Sequence, residues 1–220
     1  MSPDRRSGAP GVCFVTDRGA TGGRPLPDVV RAALAGGVRM VQVREKDLPG
    51  APLLALVREV LVLAAAAGAD RRVVVNDRLD VALAAKAHGV HLPSGGLPVA
   101  ATRRHVPGKF LDGRSVHSVA EAKQAEKEGA SYVVFGPVFD TPDKRPFGPP
   151  QGVAALRKVV EAVGIPVWAI GGIQAARIGE LRGVRIGGVA VISAIARAED
   201  PEAAAGGLRA ALEAAAGGES

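Results

Sequence analysis

Residues 166–173 have the sequence PVWAIGGI, and this stretch decides the fold. The apolar run behind the proline is typical of a buried strand. Gly171 and Gly172 then remove the side chains that would block a close approach to the backbone, and residues 174–181 follow with helical spacing. A strand that opens through two glycines into a helix presents backbone N–H groups that suit a phosphate. A plain tight turn explains the glycines equally well.

Residues 187–193, GGVAVIS, repeat this pattern one unit later, with glycines, a β-branched run and a final small polar residue, Ser193. Phosphate sites of eight-fold α/β barrels are built from the loops after the last two strands. Six further strand patterns precede this pair, at residues 12–16, 39–44, 72–76, 89–92, 114–117 and 131–136. Eight strand–helix units predict an α/β protein with a single (β/α)8 TIM barrel. The rival, an open doubly wound sheet, normally has a G-x-G-x-x-G loop after its first strand, and this chain has none there.

Helical patterns separate the strands, at residues 28–35, 51–67, 79–87, 98–105, 118–128, 152–163, 174–181 and 201–215. The barrel is therefore expected over residues 12–216. Residues 1–11 are expected to be a disordered or extended N-terminal segment, and residues 217–220 a frayed tail. The stretch 137–151 is rich in proline and glycine and is long for a loop of a compact domain, which is typical of functional loops.

Composition narrows the class of protein. The 220 residues carry a net charge of +6, but aromatic residues make up only 3% and offer no stacking platform for nucleic acid. Cys13 is the single cysteine, which excludes an internal disulfide and fits a reducing compartment. The apolar run 53–67 is short for a membrane span and is interrupted by Arg58 and Glu59, so it predicts a barrel helix. We expect a cytoplasmic protein without nucleic-acid or membrane partners; a homo-oligomer stays open.

Polar residues gather at the carboxyl ends of the predicted strands, where barrels place their active sites. These residues are Gln42, Arg44, Glu45, Lys46, Asn76, Asp77, Arg78, His91, Ser94, Ser115, His117, Thr141, Asp143, Lys144, Gly171, Gly172 and Ser193.

Three cations stand out among these candidates. Arg44, Lys46 and Lys144 lie on two loops that a barrel brings to one mouth. Converging cations are unfavourable unless an anion lies between them, so a phosphate or diphosphate is the expected occupant, although solvated surface charge explains any one of them alone. Asp77 beside Asn76 suits Mg²⁺ bound against a diphosphate, and an N-cap of the next helix is the equal alternative.

The histidines and the tryptophan have ordinary alternatives. His117 could act as an acid or base, but a strand-end histidine bonded to backbone is the favoured interpretation. His91 lies in an apolar strand, where a core or rim role is expected. For Trp168 within the seventh strand, packing is favoured over substrate stacking.

The ordered motifs resemble the thiamine-phosphate synthase / thiazole tautomerase (TenI-type) superfamily, over about residues 13–212. They are QVREK at 42–46, ND at 76–77, SVHS at 115–118, GPVF at 136–139, TPDK at 141–144, IGGI at 170–173 and VISAI at 191–195. The resemblance implies a role in thiamine biosynthesis. The synthase joins an aminopyrimidine diphosphate to a thiazole phosphate and releases diphosphate, whereas the tautomerase aromatises a thiazole phosphate carboxylate.

The resemblance to the synthase also implies roles for individual residues. The aminopyrimidine diphosphate would be bound by Gln42, Arg44, Lys46, Asn76, Ser115 and Lys144. The thiazole phosphate would be held by Thr141, Gly172, Ile192 and Ser193, with Gly171 next to it. Asp77 would bind Mg²⁺.

Three positions depart from the superfamily's patterns. The synthase usually has Gly-Gln-x-Asp after strand four, with the aspartate as second Mg²⁺ ligand, but residues 93–96 are PSGG and end in Gly96. The synthase motif Thr-x-Thr-Lys is TPDK here, which places Asp143 where a hydroxyl is usual. The tautomerase's proposed histidine after strand six is Pro137. We predict a synthase; the alternatives are a tautomerase using His117 and a non-catalytic binder of thiamine-pathway phosphates.

Overall fold

The computed structural model of the chain describes residues 10–141 and 149–217. Its strands form a closed barrel in which each of eight strands pairs in parallel with its sequence neighbours and β1 pairs with β8. The strands are β1 (Gly11–Val15), β2 (Met40–Val43), β3 (Arg72–Asn76), β4 (Gly89–Leu92), β5 (Leu111–Val116), β6 (Tyr132–Phe135), β7 (Val167–Ile170) and β8 (Gly188–Val191). The predicted (β/α)8 barrel is therefore confirmed.

Helices connect the strands on the outside of the barrel. They are α1 (Leu26–Ala35), α2 (Gly50–Ala67), α3 (Leu79–Ala85), α4 (Val99–Arg103), α5 (Val119–Lys127), α6 (Gly152–Ala162), α7 (Ser193–Ala196) and α8 (Pro201–Ala216). α5 begins at its expected cap, where the Ser118 hydroxyl accepts a hydrogen bond from the Glu121 backbone N–H.

Alternate residues of each strand enter two different cores. On β1, Val12 and Phe14 belong to a large cluster that joins the strands to the helices, whereas Cys13 and Val15 belong to a smaller cluster inside the barrel. The period of two in the strand side chains produces this division. Burial raises the pKa of the Cys13 thiol to about 12, so this interior thiol stays protonated.

Trp168 packs inside the barrel, as expected. Its ring meets Tyr132 edge to face at 6.4 Å between centroids. It also covers Gly11 and Gly188 at the amino ends of their strands, where an added Cβ would lie 3.3 Å and 2.6 Å from the indole. The tryptophan therefore fills the end of the barrel opposite the carboxyl ends of the strands.

Two segments near the carboxyl end of the chain differ from prediction. The expected helix at 174–181 is a 3₁₀ helix, Ala175–Leu181, and it contains Gly179, a poor α-helix former. The short helix α7 follows β8 directly and was not predicted, since four residues are too few for a periodic pattern. Residues 1–9, 142–148 and 218–220, which include most of the two predicted terminal segments, lie outside the described residues.

Helix α2 is long and apolar, as membrane-spanning helices are. Gly50–Ala67 has the length and hydropathy to cross a membrane, and no other helix of the described residues passes that test. In the fold, however, it is the crossover between β2 and β3, with Leu53, Val57 and Val60 buried in the outer core. The interpretation of this run as a barrel helix is confirmed.

An ion pair between a half-buried arginine and a buried aspartate fastens α4 to the barrel. Asp112 on β5 is fully buried, and its carboxylate accepts hydrogen bonds from Arg103 Nη1 at 2.5 Å and from Thr102 Oγ1 at 2.8 Å. A second Arg103 bond, to the Phe110 carbonyl, fixes the guanidinium at the same place. Removal of the arginine would leave a buried carboxylate without its charged partner.

We predict that Arg103→Met lowers the free energy of unfolding by about 3 kcal/mol, because breaking one side of a buried pair leaves an uncompensated charge. The matched control is Arg209→Met, which removes an exposed pair with Glu213 and should change it by about 0.5 kcal/mol or less. Urea unfolding followed by circular dichroism measures both. Equal effects of the two substitutions would contradict a stabilising role for the buried pair.

Candidate active site

The carboxyl ends of the eight strands share one mouth, and an amide pair lies inside it. Gln42, near the end of β2, is 5% exposed, and its Nε2 donates to Asn76 Oδ1 at 3.0 Å. Asn76 ends β3 and is in register with His91 of β4. Two of the predicted site residues are therefore joined directly.

A buried carboxylate organises the loops after β1 and β2. Glu45 accepts hydrogen bonds from Thr16 Oγ1 at 2.6 Å and from the Arg18 backbone N–H at 3.1 Å. The Thr16 hydroxyl oxygen in turn accepts from the Arg44 backbone N–H at 2.9 Å. The buried Glu45 side chain is thus bonded to the end of β1, and these bonds fix the backbone that carries its sequence neighbours Arg44 and Lys46.

From the sequence, Glu45 was placed at the end of strand two without a role, and Thr16 was only the last residue of strand one. The available signal in the sequence was the single carboxylate between two cations. Its partner on another strand could not be known without the register.

Asp77 lies beside the loop that follows β4. Its backbone has φ +63°, and its N–H donates to the His91 carbonyl at 2.8 Å. A Cβ added to Gly96 would lie 3.1 Å from Asp77 Oδ1. Because α3 begins after Arg78 without a side-chain cap, the alternative of Asp77 as the N-cap of that helix is wrong.

Arg114 fastens this same loop from β5. Its guanidinium donates to the carbonyls of Ser94 and Leu97, each at 2.7 Å. The loop carbonyls are therefore engaged by Arg114, and Gly96 is held against Asp77. No role was predicted for Arg114 from the sequence, because its partners lie on a loop whose position depends on the fold.

His91 is buried inside the barrel, as the core interpretation expected. Its Nε2 is 2.8 Å from Ser115 Oγ, and its Nδ1 is 3.3 Å from the Tyr132 hydroxyl. Burial, together with the nearby charges of Arg114 and Arg44, lowers the pKa of His91 to about 3. The imidazole is therefore neutral at physiological pH.

His117 has the backbone-bonded arrangement that was favoured. Its Nδ1 is 2.7 Å from the Gly136 carbonyl oxygen, and since a carbonyl only accepts, Nδ1 carries the proton. Its backbone N–H donates to the Glu121 carboxylate at 2.8 Å. These two bonds fix the histidine at the end of β5.

Gly171 and Gly172 permit the close approach that the sequence predicted. Both have positive φ, +98° and +63°. An added Cβ would lie 2.6 Å from Pro137 Cα at Gly171 and 2.5 Å from the Asp140 carbonyl at Gly172. The segment after β6 therefore lies directly on this glycine pair, and Val138 N–H donates to the Ile170 carbonyl at 2.8 Å.

Two more candidates follow β8, the neighbour of β7 in the barrel. Ile192 immediately precedes α7, and Ser193 is the first residue of that helix. Thr141 is the last residue described before the gap at 142–148, and Lys144 lies outside the described residues. Within the described ranges, no three histidine, cysteine, aspartate or glutamate residues group to hold a metal ion.

Comparison with known proteins shows what this chain is similar to. The family described as thiamine monophosphate synthase matches residues 12–195. The thiamine-phosphate synthase of Methanoculleus marisnigri is 47% identical over 89% of this chain and 92% of its own. That of Roseiflexus castenholzii is 46% identical over 88% and 84%. A solved structure of thiamine phosphate pyrophosphorylase from Pyrococcus furiosus is 36% identical, with a TM-score of 0.86 over 97% of this chain and 99% of that chain.

We predict that Gly172→Ala is more destabilising than Gly22→Ala, although the two glycines have almost the same φ, +63° and +65°. Alanine at positive φ is strained at both sites, by about 1 kcal/mol. Only at Gly172 does the new Cβ also meet backbone, which adds about 1–3 kcal/mol. Urea unfolding compares the two variants, and equal losses would mean that the segment after β6 moves aside freely.

Proposed function

The chain belongs to the thiamine monophosphate synthase family, and on that premise we propose that it condenses aminopyrimidine diphosphate with thiazole phosphate, giving thiamine phosphate and diphosphate. The observation that carries the proposal is the loop after β2. There the buried Glu45 fixes a backbone with Arg44 and Lys46 on either side, next to the Gln42–Asn76 amide pair. Cations held at a barrel mouth suit a diphosphate.

The reaction explains why this site has cations and no apparent nucleophile. The bond between the exocyclic carbon of the pyrimidine and the diphosphate oxygen breaks, and the diphosphate leaves with the electron pair. The electron-rich pyrimidine stabilises the resulting cation, and the thiazole nitrogen then forms the new carbon–nitrogen bond. The protein must stabilise the departing charge and align the two rings.

The described side chains divide between these two tasks in our proposal. Arg44 and Lys46 neutralise the departing diphosphate, while Gln42, Asn76 and Ser115 orient the pyrimidine. Lys144 is assigned to the diphosphate by the family resemblance alone. The neutral, buried His91 and the backbone-bonded His117 are consistent with a reaction that needs no general base.

The thiazole phosphate is proposed to bind at the other side of the mouth. There Ile192 and Ser193 lead into α7 after the last strand, next to β7 and its glycine pair, Gly171 and Gly172, on which the segment after β6 packs. Backbone N–H groups in such a place suit a phosphate. Thr141 completes this group in our proposal.

Mg²⁺ fits the residues present. It usually binds one or two carboxylates together with substrate phosphates, and Asp77 supplies one carboxylate at the mouth. When bound, the ion would neutralise charge on the diphosphate. Gly96, next to Asp77, lies where the family's pattern has a second carboxylate. We propose that Asp77 holds Mg²⁺ in this chain and that the substrate and water supply the other ligands.

The direct test is an assay of the purified chain with both substrates and Mg²⁺, with and without EDTA. We expect equal amounts of thiamine phosphate and diphosphate, both lost with EDTA. Lys46→Gln should lower kcat/KM for the aminopyrimidine diphosphate by about tenfold or more, because a charge-assisted contact is lost. Thiazole phosphate binding should stay within about twofold, and Lys123→Gln on the exposed side of α5 is the control.

Three outcomes would contradict these assignments. Equal losses for both substrates in Lys46→Gln would remove Lys46 from the diphosphate side. Substrate binding without turnover would favour the non-catalytic binder. Turnover of a thiazole phosphate carboxylate alone would favour the tautomerase.

The metal proposal predicts opposite effects of Asp77→Asn and Gly96→Asp. Asp77→Asn should raise the Mg²⁺ concentration needed for half-maximal activity by about tenfold or more, and Gly96→Asp should lower it by a similar factor. Without Mg²⁺, the new carboxylate beside Asp77 should lower Tm, and Mg²⁺ should restore it. The Tm of the unchanged chain, titrated with Mg²⁺ alone, is the control. If the Tm of the Gly96→Asp variant did not change with Mg²⁺ concentration, position 96 would not face the metal.

A further inference from the structure

Three polar side chains cross the interior of the barrel below the mouth. Tyr132 on β6 reaches His91 on β4, and His91 reaches Ser115 on β5, through contacts of 3.3 Å and 2.8 Å. Tyr132 and His91 are 4% and 2% exposed, and both ring nitrogens of His91 are engaged by side chains of the barrel. Ser115, which is partly exposed, is the member of the chain nearest the mouth.

Gly113 makes the contact between the phenol and the imidazole possible. It lies on β5 between the two, in register with both His91 and Tyr132. An added Cβ would lie 2.3 Å from the Tyr132 oxygen and 2.7 Å from His91 Nδ1. The barrel therefore omits a side chain at this inward position, and the space is filled by the phenol.

The direction of the hydrogen bonds follows from which groups can donate. The Tyr132 hydroxyl stays protonated in this buried place, because burial raises its pKa well above the usual value. Its hydrogen needs an acceptor, and the partner present is His91 Nδ1. If Nδ1 carried the imidazole proton, the phenolic hydrogen would be buried without an acceptor, which is unfavourable.

The neutral imidazole consequently carries its proton on Nε2 and donates to Ser115 Oγ. A hydroxyl that accepts from Nε2 keeps its own hydrogen for another acceptor. That hydrogen is directed away from His91 and is available to a group bound at the mouth.

We infer that Tyr132, acting through the Nε2–H tautomer of His91, fixes the Ser115 hydroxyl as a hydrogen-bond donor to an acceptor atom of the aminopyrimidine diphosphate. The identity of the substrate in this inference rests on the proposed function. Tyr132 and His91 are positioning residues, since only Ser115 would touch the substrate. Because the His91 tautomer is fixed before the substrate binds, binding does not have to shift an equilibrium between two tautomers.

The first test needs no substrate. Long-range ¹H–¹⁵N spectra of ¹⁵N-histidine-labelled protein at pH 7 distinguish the two tautomers, and comparison with His91→Gln identifies the His91 signals among those of the four histidines. We expect a single Nε2–H tautomer in the unchanged chain and a mixture in Tyr132→Phe, which keeps the ring and loses the donor. An Nδ1–H tautomer or an imidazolium in the unchanged chain would overturn the inference.

The second test measures coupling. Tyr132→Phe should raise KM for the aminopyrimidine diphosphate about fivefold while kcat and the KM for thiazole phosphate stay within about twofold. Ser115→Ala should raise the same KM, and Tyr132→Phe should add less than twofold on the Ser115→Ala background. If the increase in KM of the double variant equalled the product of the two single increases, the inference would be overturned.

Two further variants separate positioning from packing. Val134→Ala removes an interior side chain without a hydrogen bond and should lower Tm while leaving the His91 tautomer unchanged. Gly113→Ala should crowd the phenol and reproduce the tautomer mixture of Tyr132→Phe. If the chain makes no thiamine phosphate, the spectra alone decide on the tautomer, so failure of the proposed function is distinguished from failure of this inference.

Discussion

Closure of the strand ring is the constraint on which the rest of the structure depends. When β1 pairs with β8, every strand has two neighbours, and all eight carboxyl ends meet at one mouth. Within the ring, the pairing of consecutive strands makes neighbours of residues far apart in sequence, as it does for Gln42 and Asn76 or for Thr16 and Glu45. The same closure divides each strand between an outer core under the helices and a narrow interior. Few side chains fill this interior, so its polar side chains Tyr132, His91 and Ser115 are held in contact with one another.

The fold was predictable because short β-branched runs alternate with helical spacing and are separated by glycine and proline. The strand β3 was predicted to the residue, and the glycine pair after β7 was understood as a place of close approach. The 3₁₀ helix Ala175–Leu181 was not predicted, because its pattern of apolar residues is also that of an α-helix. Helix α7 is too short to leave a periodic signal.

The candidate site was predictable in its location more than in its internal contacts. Strand ends identify which residues reach the mouth, and they did so for Gln42, Asn76 and Ser115. They do not show which side chain turns toward which partner. The bonds of Glu45 to the β1 loop, and of Arg114 to the loop beside Gly96, depend on the register of strands separated by whole helices. Lys144 lies outside the described residues, so its place among the cations stays a prediction.

Cys13 can serve as an internal reporter of the opening of the barrel. The thiol lies inside the strand ring, and burial keeps it protonated and therefore unreactive. Because it is the single cysteine of the chain, a thiol reagent can label the protein only when the ring opens far enough to admit it. Labelling kinetics of the unmodified sequence would thus record the frequency of barrel opening, with no engineered probe and no interference from a second thiol.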